Sequence, residues 1–557
     1  MIKSRPNFLL SILILFSFVI LFRLAQFQIV DNDYWRAIAR GQQRQFLQTQ
    51  GERGKIFATD RNNNLHLVAT NRSWEYVYIS PGDIWRGGGD PEEISQRLGE
   101  ILGIESASIL QRINKRDSLY ELLKVRLTPQ EVREIREANF PGVYIRKDLL
   151  RYYPHDEFAS HVIGFVGGEG SGQYGVENYY NSVLTGSKRY QEVDRSASGV
   201  ISRIFSPSSD KGEDLILTID YNIQFMAEKL LEEAQEKLNI EGGTIIVSDP
   251  HDGRILAMAN LPKFNLNEYQ KESDFRTFKN SAIQTIFEPG SIFKSITLAI
   301  ALEEGKITPE TTYQDQGFVQ IGGFTIRNFG RRTWGNINMT KMLERSINTG
   351  AIFAQRLVGH DVFKYYLDKF ELFKPTGIDL QGEVYSSNLS FKRGYEVNYA
   401  NASFGQGIEF TSIQILKAFS ALANGGRLVN PHVVYRGDSV EQGERVISNK
   451  TSSQITSMMI SVTENGSAKS ARIPGYYVAG KTGTAQVSWA ALGQSRRGYS
   501  DKTIQNFVGY APALDPVFII IVKLHNPSTK TAEFSAAPIF RELGKYILNY
   551  YQIPPER

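Results

Sequence analysis

The 557 residues contain no cysteine, and that single absence removes several chemistries at once. A disulfide framework, thiolate-held zinc, an iron–sulfur cluster and a cysteine nucleophile all need a thiol. Histidine is sparse too, with seven residues and no His-Glu-x-x-His pair to build a histidine-held zinc hydrolase. None of the usual local signatures of a Ser-His-Asp triad is present either. An excess of one charge is also missing. Lys and Arg number 63 against 59 Asp and Glu, leaving a net charge of +4, too near balance for a nucleic-acid binder. No internal repeat and no low-complexity stretch interrupts the chain. What remains is chemistry by hydroxyls, amines, carboxylates or backbone, in a chain long enough for several domains and a large core.

The amino terminus holds a long apolar run. Residues 8–22 carry no charge and only Ser11 and Ser17 as polar side chains. A membrane-spanning helix takes about 20 such residues at a rise of about 1.5 Å each. Pro6-Asn7 and residues 24–27 complete that length if Arg23 snorkels to the interface. A cleaved leader is the competing reading, but Arg23-Leu24-Ala25-Gln26-Phe27 offers it no small-x-small cleavage site. The expectation is a cytoplasmic tail over 1–6 and one transmembrane helix over 7–27. Lys3 and Arg5 would hold the tail inside and leave everything after Gln28 outside the cytoplasmic membrane.

Residues 28–205 alternate short strands and helices. Asp90-Pro91 opens a helix with Ile94, Leu98, Ile101 and Leu102 on one side and Gly103 at its end. Thr128-Pro129-x-Glu131 is a capping box, and Asp60-Arg61-Asn62-Asn63 is a turn after a short strand. The polar stretch Ser206-Pro207-Ser208-Ser209-Asp210-Lys211-Gly212 reads as a linker over 206–212, with a second domain over 213–557. There, apolar runs 244–247 and 255–259 flank Asp252-Gly253 as a hairpin. Runs 507–511 and 517–522 read as buried strands, and 538–548 as a closing helix with Ile539, Leu543 and Ile547 on one face. A mostly helical region lies between them. The fold class expected is α/β (α+β).

Chemistry concentrates in three short motifs. After Glu288-Pro289-Gly290, an apolar segment over 291–302 has no polar face and reads as a buried helix. Ser291 and Lys294 are three apart on it and so point the same way. A hydroxyl nucleophile needs a base beside it, and a lysine amine can serve once burial has lowered its pKa. A second Ser-x-x-Lys, Ser208 to Lys211, has no helix to aim it and no apolar wall. Ser346-Ile347-Asn348 falls in a helical stretch and offers a hydroxyl to relay a proton and an amide to hold a carbonyl. A second Ser-x-Asn, Ser386-Ser387-Asn388, lies in a polar turn region and reads as an unrelated loop. Lys481-Thr482-Gly483-Thr484 follows a strand-like run over 476–479. Its glycine would let a peptide backbone approach the strand, and its lysine and threonines suit a terminal carboxylate.

Ser291-x-x-Lys294, Ser346-x-Asn348 and Lys481-Thr482-Gly483 resemble the three active-site motifs of penicillin-binding proteins and serine β-lactamases. Nearly the whole chain is similar to the class B, monofunctional penicillin-binding proteins. Arg53-Gly54-x-Ile56, Arg151-Tyr152-Tyr153-Pro154, His161-x-Ile163-Gly164-Phe165 and Gly175-Val176-Glu177-x-x-Tyr180 resemble the pedestal signatures of that family. Leu217-Thr218-Ile219-Asp220, Gly405-Gln406-Gly407, Asn424-Gly425-Gly426 and Phe507-x-Gly509-x-Ala511-Pro512 match its catalytic domain. Two departures stand out: Asn63-Asn64 where a glycine is usual, and Gln381 in place of proline before Gly382-Glu383.

The resemblance implies a transpeptidase domain with a central antiparallel sheet and a helical subdomain, on an elongated α+β pedestal carried by the transmembrane helix. It implies a D,D-transpeptidase that cross-links peptidoglycan without metal or organic cofactor. Ser291 would attack the carbonyl between the terminal D-alanines of a donor stem peptide, Lys294 taking its proton. Backbone N–H groups of Ser291 and Thr484 would hold the oxyanion, with Ser346 and Lys481 protonating the leaving D-alanine. Asn348, Thr482 and Gly483 would complete the site. An amine acceptor from a second stem peptide would then form the cross-link, and β-lactams would acylate the same serine. A SEDS-type glycan polymerase, engaged through the anchor and pedestal, is the implied membrane partner; no nucleic acid is. A lactamase is disfavoured by the long accessory domain, a transducing sensor by the lack of a metalloprotease signature, and a bifunctional synthase by the pedestal pattern. A D,D-carboxypeptidase differs in using water as acceptor, and a non-catalytic scaffold would not need the intact lysines.

Overall fold

The computed structural model describes residues 16–18, 20–21, 44–49, 52–168, 170–186, 189–195, 201–202, 211–437, 443–496 and 498–557. The chain divides into two compact units, one of residues 1–54 and 185–213, the other of residues 55–184 and 214–557. In the first, Arg44–Thr49 pairs antiparallel with Arg189–Arg195, which pairs in turn with Ile201–Ser202. Of the expected linker over 206–212, only Lys211 and Gly212 fall among the described residues.

The expected transmembrane helix over 7–27 is corrected. Among the described residues no helix is long and apolar enough to cross a membrane. A span needs about 20 helical residues, whereas within 7–27 those described are 16–18 and 20–21; the remainder of that expectation lies outside the described residues. The single-pass anchoring, the placement outside the cytoplasmic membrane and the anchor-borne contact with a polymerase rested on that helix and are withdrawn with it.

The larger unit begins with a five-stranded sheet. Strands β1 (Ile56–Thr59), β2 (Leu65–Ile79), β3 (Glu121–Lys124) and β4 (Val143–Tyr152) are antiparallel around β2, and β5 (Leu215–Asp220) adds parallel to β1. Helices α1 (Pro91–Leu102) and α2 (Pro129–Ala138) bury Ile94, Leu98, Leu102, Val132 and Ile135 against it. Their ends are set locally. Asp90 accepts from the N–H groups of Glu92 and Glu93, Gly103 closes α1 in the left-handed region, and Thr128 and Glu131 form the reciprocal capping box. Asn63 stands at φ 60, and asparagine tolerates that region, so the family's missing glycine leaves the turn intact.

Beyond α3 (Tyr221–Leu238) lies the second sheet. β6 (Gly242–Ser248) and β7 (Ile255–Leu261) form the expected hairpin, and β12 (Ala479–Ser488), β13 (Tyr499–Ala511) and β14 (Phe518–His525) complete an antiparallel sheet in the order β7-β6-β14-β13-β12. Every residue of β6 and β7 is buried, and Ile519 to Val522 are fully so, which explains runs without polar alternation. Each buried Ile, Leu, Val or Met side chain among them stabilises the fold by about 1.5–3 kcal/mol. The closing helix α9 (Ala536–Tyr550) packs Phe540 against Phe507 and Phe518 of the sheet. Within the same unit, Tyr180 donates to the buried Asp379, and Arg126 donates to the Asn267 carbonyl (2.7 Å).

Between β7 and β12 the chain is largely helical. It includes α4 (Lys294–Glu303), β8 (Thr312–Asp315), a hairpin of β9 (Phe318–Ile321) and β10 (Phe324–Arg327), and β11 (Gly335–Asn338). Then follow α5 (Met339–Arg345), α6 (Asn348–Val358), α7 (Ser412–Ala423) and α8 (Asn449–Asn465). Lys294 to Leu302 are all buried, so α4 is a core helix. This helical mass and the edge strand β12 meet at the candidate site.

Candidate active site

Ser291 does not open an α-helix directly. Gly290–Phe293 is one 3₁₀ turn, and α4 starts at Lys294. Residues i and i+3 eclipse in a 3₁₀ turn, so the serine and lysine still share a face. Lys294 Nζ lies 3.1 Å from Ser291 Oγ. The turn is pinned from outside: Gly290 N–H donates to the Gly405 carbonyl (2.9 Å), and a Cβ on Gly405, at φ 81, would meet the Gly290 carbonyl at 2.2 Å. Gly405-Gln406-Gly407 therefore carries glycine because a backbone presses against it.

Ser346 is not inside a helix, as its spacing suggests, but at the break between α5 and α6. It holds φ 56, ψ 48, uncommon for a residue with a side chain. The break frees its carbonyl, which accepts from Lys294 Nζ at 2.6 Å. Lys294 also donates to Asn348 Oδ1 (2.8 Å) and lies 3.2 Å from Ser346 Oγ. Lys481 sits within β12 rather than after a strand, because register with Val508 carries β12 through the motif. Its Nζ donates to the Thr482 carbonyl (2.9 Å) and Ser346 Oγ (3.0 Å). The Ser346 hydroxyl thus lies between two amines. Thr484 Oγ1 accepts from the Ala532 N–H (3.2 Å), and Thr482 Oγ1 lies 3.5 Å from Lys481 Nζ.

Gly483 has a different reason for being glycine from the one its sequence suggests. A Cβ there would meet Asn506 Oδ1 at 2.1 Å and the Pro289 carbonyl at 2.9 Å. The space is filled by the neighbouring strand and by the loop before Ser291.

Both lysines are fully buried. Burial first, and then the Lys481 cation, hold the Lys294 amine well below the ordinary lysine range. Burial alone brings Lys481 down to about 7. A neutral amine has two N–H donors and one lone pair. The two shortest bonds of Lys294 go to pure acceptors, the Ser346 carbonyl and Asn348 Oδ1, which leaves the lone pair for a hydroxyl. That is the arrangement of a base beside a nucleophile.

Sequence reasoning gave no role to Glu288, three residues before Ser291. It accepts from the Gly407 N–H (3.0 Å) and the Tyr499 hydroxyl (3.1 Å), and burial pushes it up to about 7. It ties the nucleophile turn to two other segments. The β9–β10 hairpin beside Asn348 was also missed, although Gly322-Gly323 between apolar runs is a hairpin signal. The second copies stay apart. Ser386 donates to Glu409 Oε2 (3.1 Å) and Asn388 Nδ2 to the Glu409 carbonyl (3.0 Å), while of Ser208 to Lys211 only Lys211 is described, and it is exposed. Gln381 leaves a local turn whose carbonyl accepts from Gln284 Nε2 (3.3 Å).

Residues 243–545 match the sequence model of the penicillin binding protein transpeptidase domain, and residues 48–217 that of the penicillin-binding protein dimerisation domain. The first covers more than half of the chain and every motif residue above. The chain belongs to the penicillin-binding protein transpeptidase family. As a penicillin-binding protein it is 30% identical to Stage V sporulation protein D of Bacillus subtilis (strain 168), over 100% of this chain and 87% of that protein. It is 27% identical to peptidoglycan D,D-transpeptidase FtsI of Escherichia coli (strain K12), over 96% of this chain and 90% of that one. Among solved structures, penicillin binding protein 2X from Streptococcus thermophilus superposes with a TM-score of 0.70 at 22% identity, covering 92% of this chain and 81% of that one. A peptidoglycan synthetase from Bifidobacterium adolescentis gives 0.68 at 24%, covering 92% and 98%. Both likenesses bear on the fold alone.

Proposed function

We propose that Ser291 is the nucleophile with which this chain, a serine-type peptidoglycan D,D-transpeptidase, cross-links stem peptides. Lys294 takes the proton of Ser291 Oγ as the oxygen attacks the carbonyl between the two terminal D-alanines. Backbone N–H groups of Ser291 and Thr484 hold the oxyanion, and losing one such donor typically costs about 100- to 1000-fold in rate. The terminal carboxylate is met by Lys481, Thr482 and Thr484. As the tetrahedral intermediate collapses, the C–N bond breaks and D-alanine leaves, its nitrogen protonated through Ser346, which bridges the two amines. An acceptor amine then attacks the acyl-enzyme ester and gives up its proton to Lys294, which returns it to Ser291 Oγ as the ester C–O bond breaks and the new peptide bond is left formed. β-Lactams acylate the same oxygen.

The observation that carries this reading is the bonding of Lys294: two short donations to pure acceptors, with Ser291 Oγ 3.1 Å away for the lone pair. The test is labelling by a fluorescent penicillin. The protein is expected to be labelled and Ser291→Ala to lose labelling entirely, with the adduct mapping by mass spectrometry to the Ser291 peptide. Undiminished labelling of the alanine variant would sink the assignment.

A further inference from the structure

The β9–β10 hairpin stands beside Asn348 and presents a face that is exposed among the described residues. Its register pairs Phe318 with Arg327, Val319 with Ile326, Gln320 with Thr325 and Ile321 with Phe324. Side chains alternate across such a ribbon. Val319, Ile321 and Ile326 pack on Ala351 and Ile352 of α6 and on Phe404. Phe318, Gln320, Thr325 and Arg327 make the opposite, exposed face.

This hairpin is tied to the site by hydrogen bonds. The buried Asp315 carboxylate accepts from Gly317 N–H (3.0 Å), Asn328 Nδ2 (3.0 Å), Thr349 Oγ1 (2.7 Å) and Trp334 N–H (2.8 Å). Asn328 Oδ1 accepts from Thr349 N–H (3.1 Å) at the start of α6. The Arg327 carbonyl accepts from Asn348 Nδ2 (3.0 Å), and Asn348 Oδ1 is the acceptor of Lys294. Asn348 is therefore the single residue between Arg327 and the catalytic lysine.

Charge here departs from the balance of the chain. Residues 316–343 contain Arg327, Arg331, Arg332 and Lys341 and no Asp or Glu. Lys341 pairs with Glu344, but among the described residues no carboxylate pairs with the three guanidiniums. The Arg327 guanidinium lies 5.5 Å from the centre of the Phe318 ring. An exposed arginine resting on an aromatic face, with further cations close by in sequence, suits a planar anion carried on an apolar stem.

We propose that Arg327, supported by Phe318, is a specificity-determining residue that binds a side-chain carboxylate of the donor stem peptide, upstream of its D-alanines. This rests on the reading of Ser291 as the nucleophile. The terminal carboxylate is held at β12, and the hairpin supplies a second, separate anion contact on the Asn348 side. The unpaired Arg331 and Arg332 add a positive field that draws the acidic peptide in and weakens with salt.

Two D-alanyl thioester donors test it, identical except that the residue before the D-alanine bears a side-chain carboxylate in one and its amide in the other. Acylation is followed by thiol release and by mass spectrometry of the Ser291 adduct. The protein should favour the carboxylate donor about tenfold in kcat/KM, the difference falling in KM, as one added charge-assisted contact gives. Arg327→Gln should bring that ratio to about one, and Arg327→Lys should restore part of it. Phe318→Ala should lower it by a smaller factor. Equal rates for the two donors, or an undiminished ratio in Arg327→Gln, would overturn the hairpin assignment while leaving the nucleophile standing. Thiol release that persists in Ser291→Ala would overturn the nucleophile and the hairpin assignment together.

Discussion

Lys481 and Lys523 are both fully buried on the same sheet, and burial brings each amine to about 7. Their surroundings separate them. Lys481 faces the Ser346 hydroxyl, which a second buried amine approaches to 3.2 Å from the other side. Lys523 lies on β14 opposite Thr244 and Asn506; its Nζ donates to Ser281 Oγ (3.2 Å) and sits 5.0 Å from the Phe287 ring centre. The first amine belongs to a chain of proton-carrying groups that ends at the half-buried Ser291. The second ends in a hydroxyl already engaged with Thr244 (2.9 Å). A depressed amine marks burial, and only its neighbours make it a catalytic candidate.

The sharpest break in that comparison is to remove one amine at a time. Lys294→Met should lower the second-order rate of penicillin acylation by about 1000-fold or more, the range expected for losing a general base. Lys523→Met should stay within about threefold in the same stopped-flow assay, because no step passes through it. A large loss in the Lys523 variant would dissolve the distinction.

Next in size is Lys481. Its replacement by Met should slow acylation about 100-fold, the scale of one lost charge-assisted contact in a dry site. The pH profile of kcat/KM sharpens this. The rate should rise as Lys294 loses its proton, well below the ordinary lysine range, and fall above about 7 as Lys481 loses the charge that meets the carboxylate. Lys481→Met should retain the rising limb and lose the falling one. A profile unchanged in shape would place the falling limb on another group.

How far these features can be read without coordinates follows from how local their causes are. The caps at Asp90 and Thr128 and the hairpin around Asp252-Gly253 depend on residues a few positions apart, and they form where expected. The spacing of Ser291 and Lys294 survives a change from α to 3₁₀ because both place i and i+3 together. Ser346 could not be read in this way. Its left-handed backbone is stabilised by Lys294, 52 residues away, which takes its carbonyl. The glycines at 405 and 483 are explained by Gly290, Pro289 and Asn506, contacts that no local pattern announces. Lys523 gave no signal at all, being one polar residue within an apolar strand.

The smallest expected effect is thermodynamic and isolates the amine without a catalytic partner. In the unfolded chain Lys523 keeps its proton up to 10.5, while in the folded protein it loses it above about 7. Between those values the unfolded state binds more protons, so stability rises with pH; the cost of burying this lysine is complete at and below about pH 7 and vanishes near 10.5. Each unit of that difference is worth about 1.4 kcal/mol, offset in part by the lost bonds to Ser281, each worth about 1 kcal/mol. Met fills a similar volume without the charge. Lys523→Met should therefore raise the unfolding free energy by about 2 kcal/mol at pH 7, measured by urea titration, and the gain should close as the pH approaches 10. A gain independent of pH would mean that packing, and not the buried amine, sets the difference.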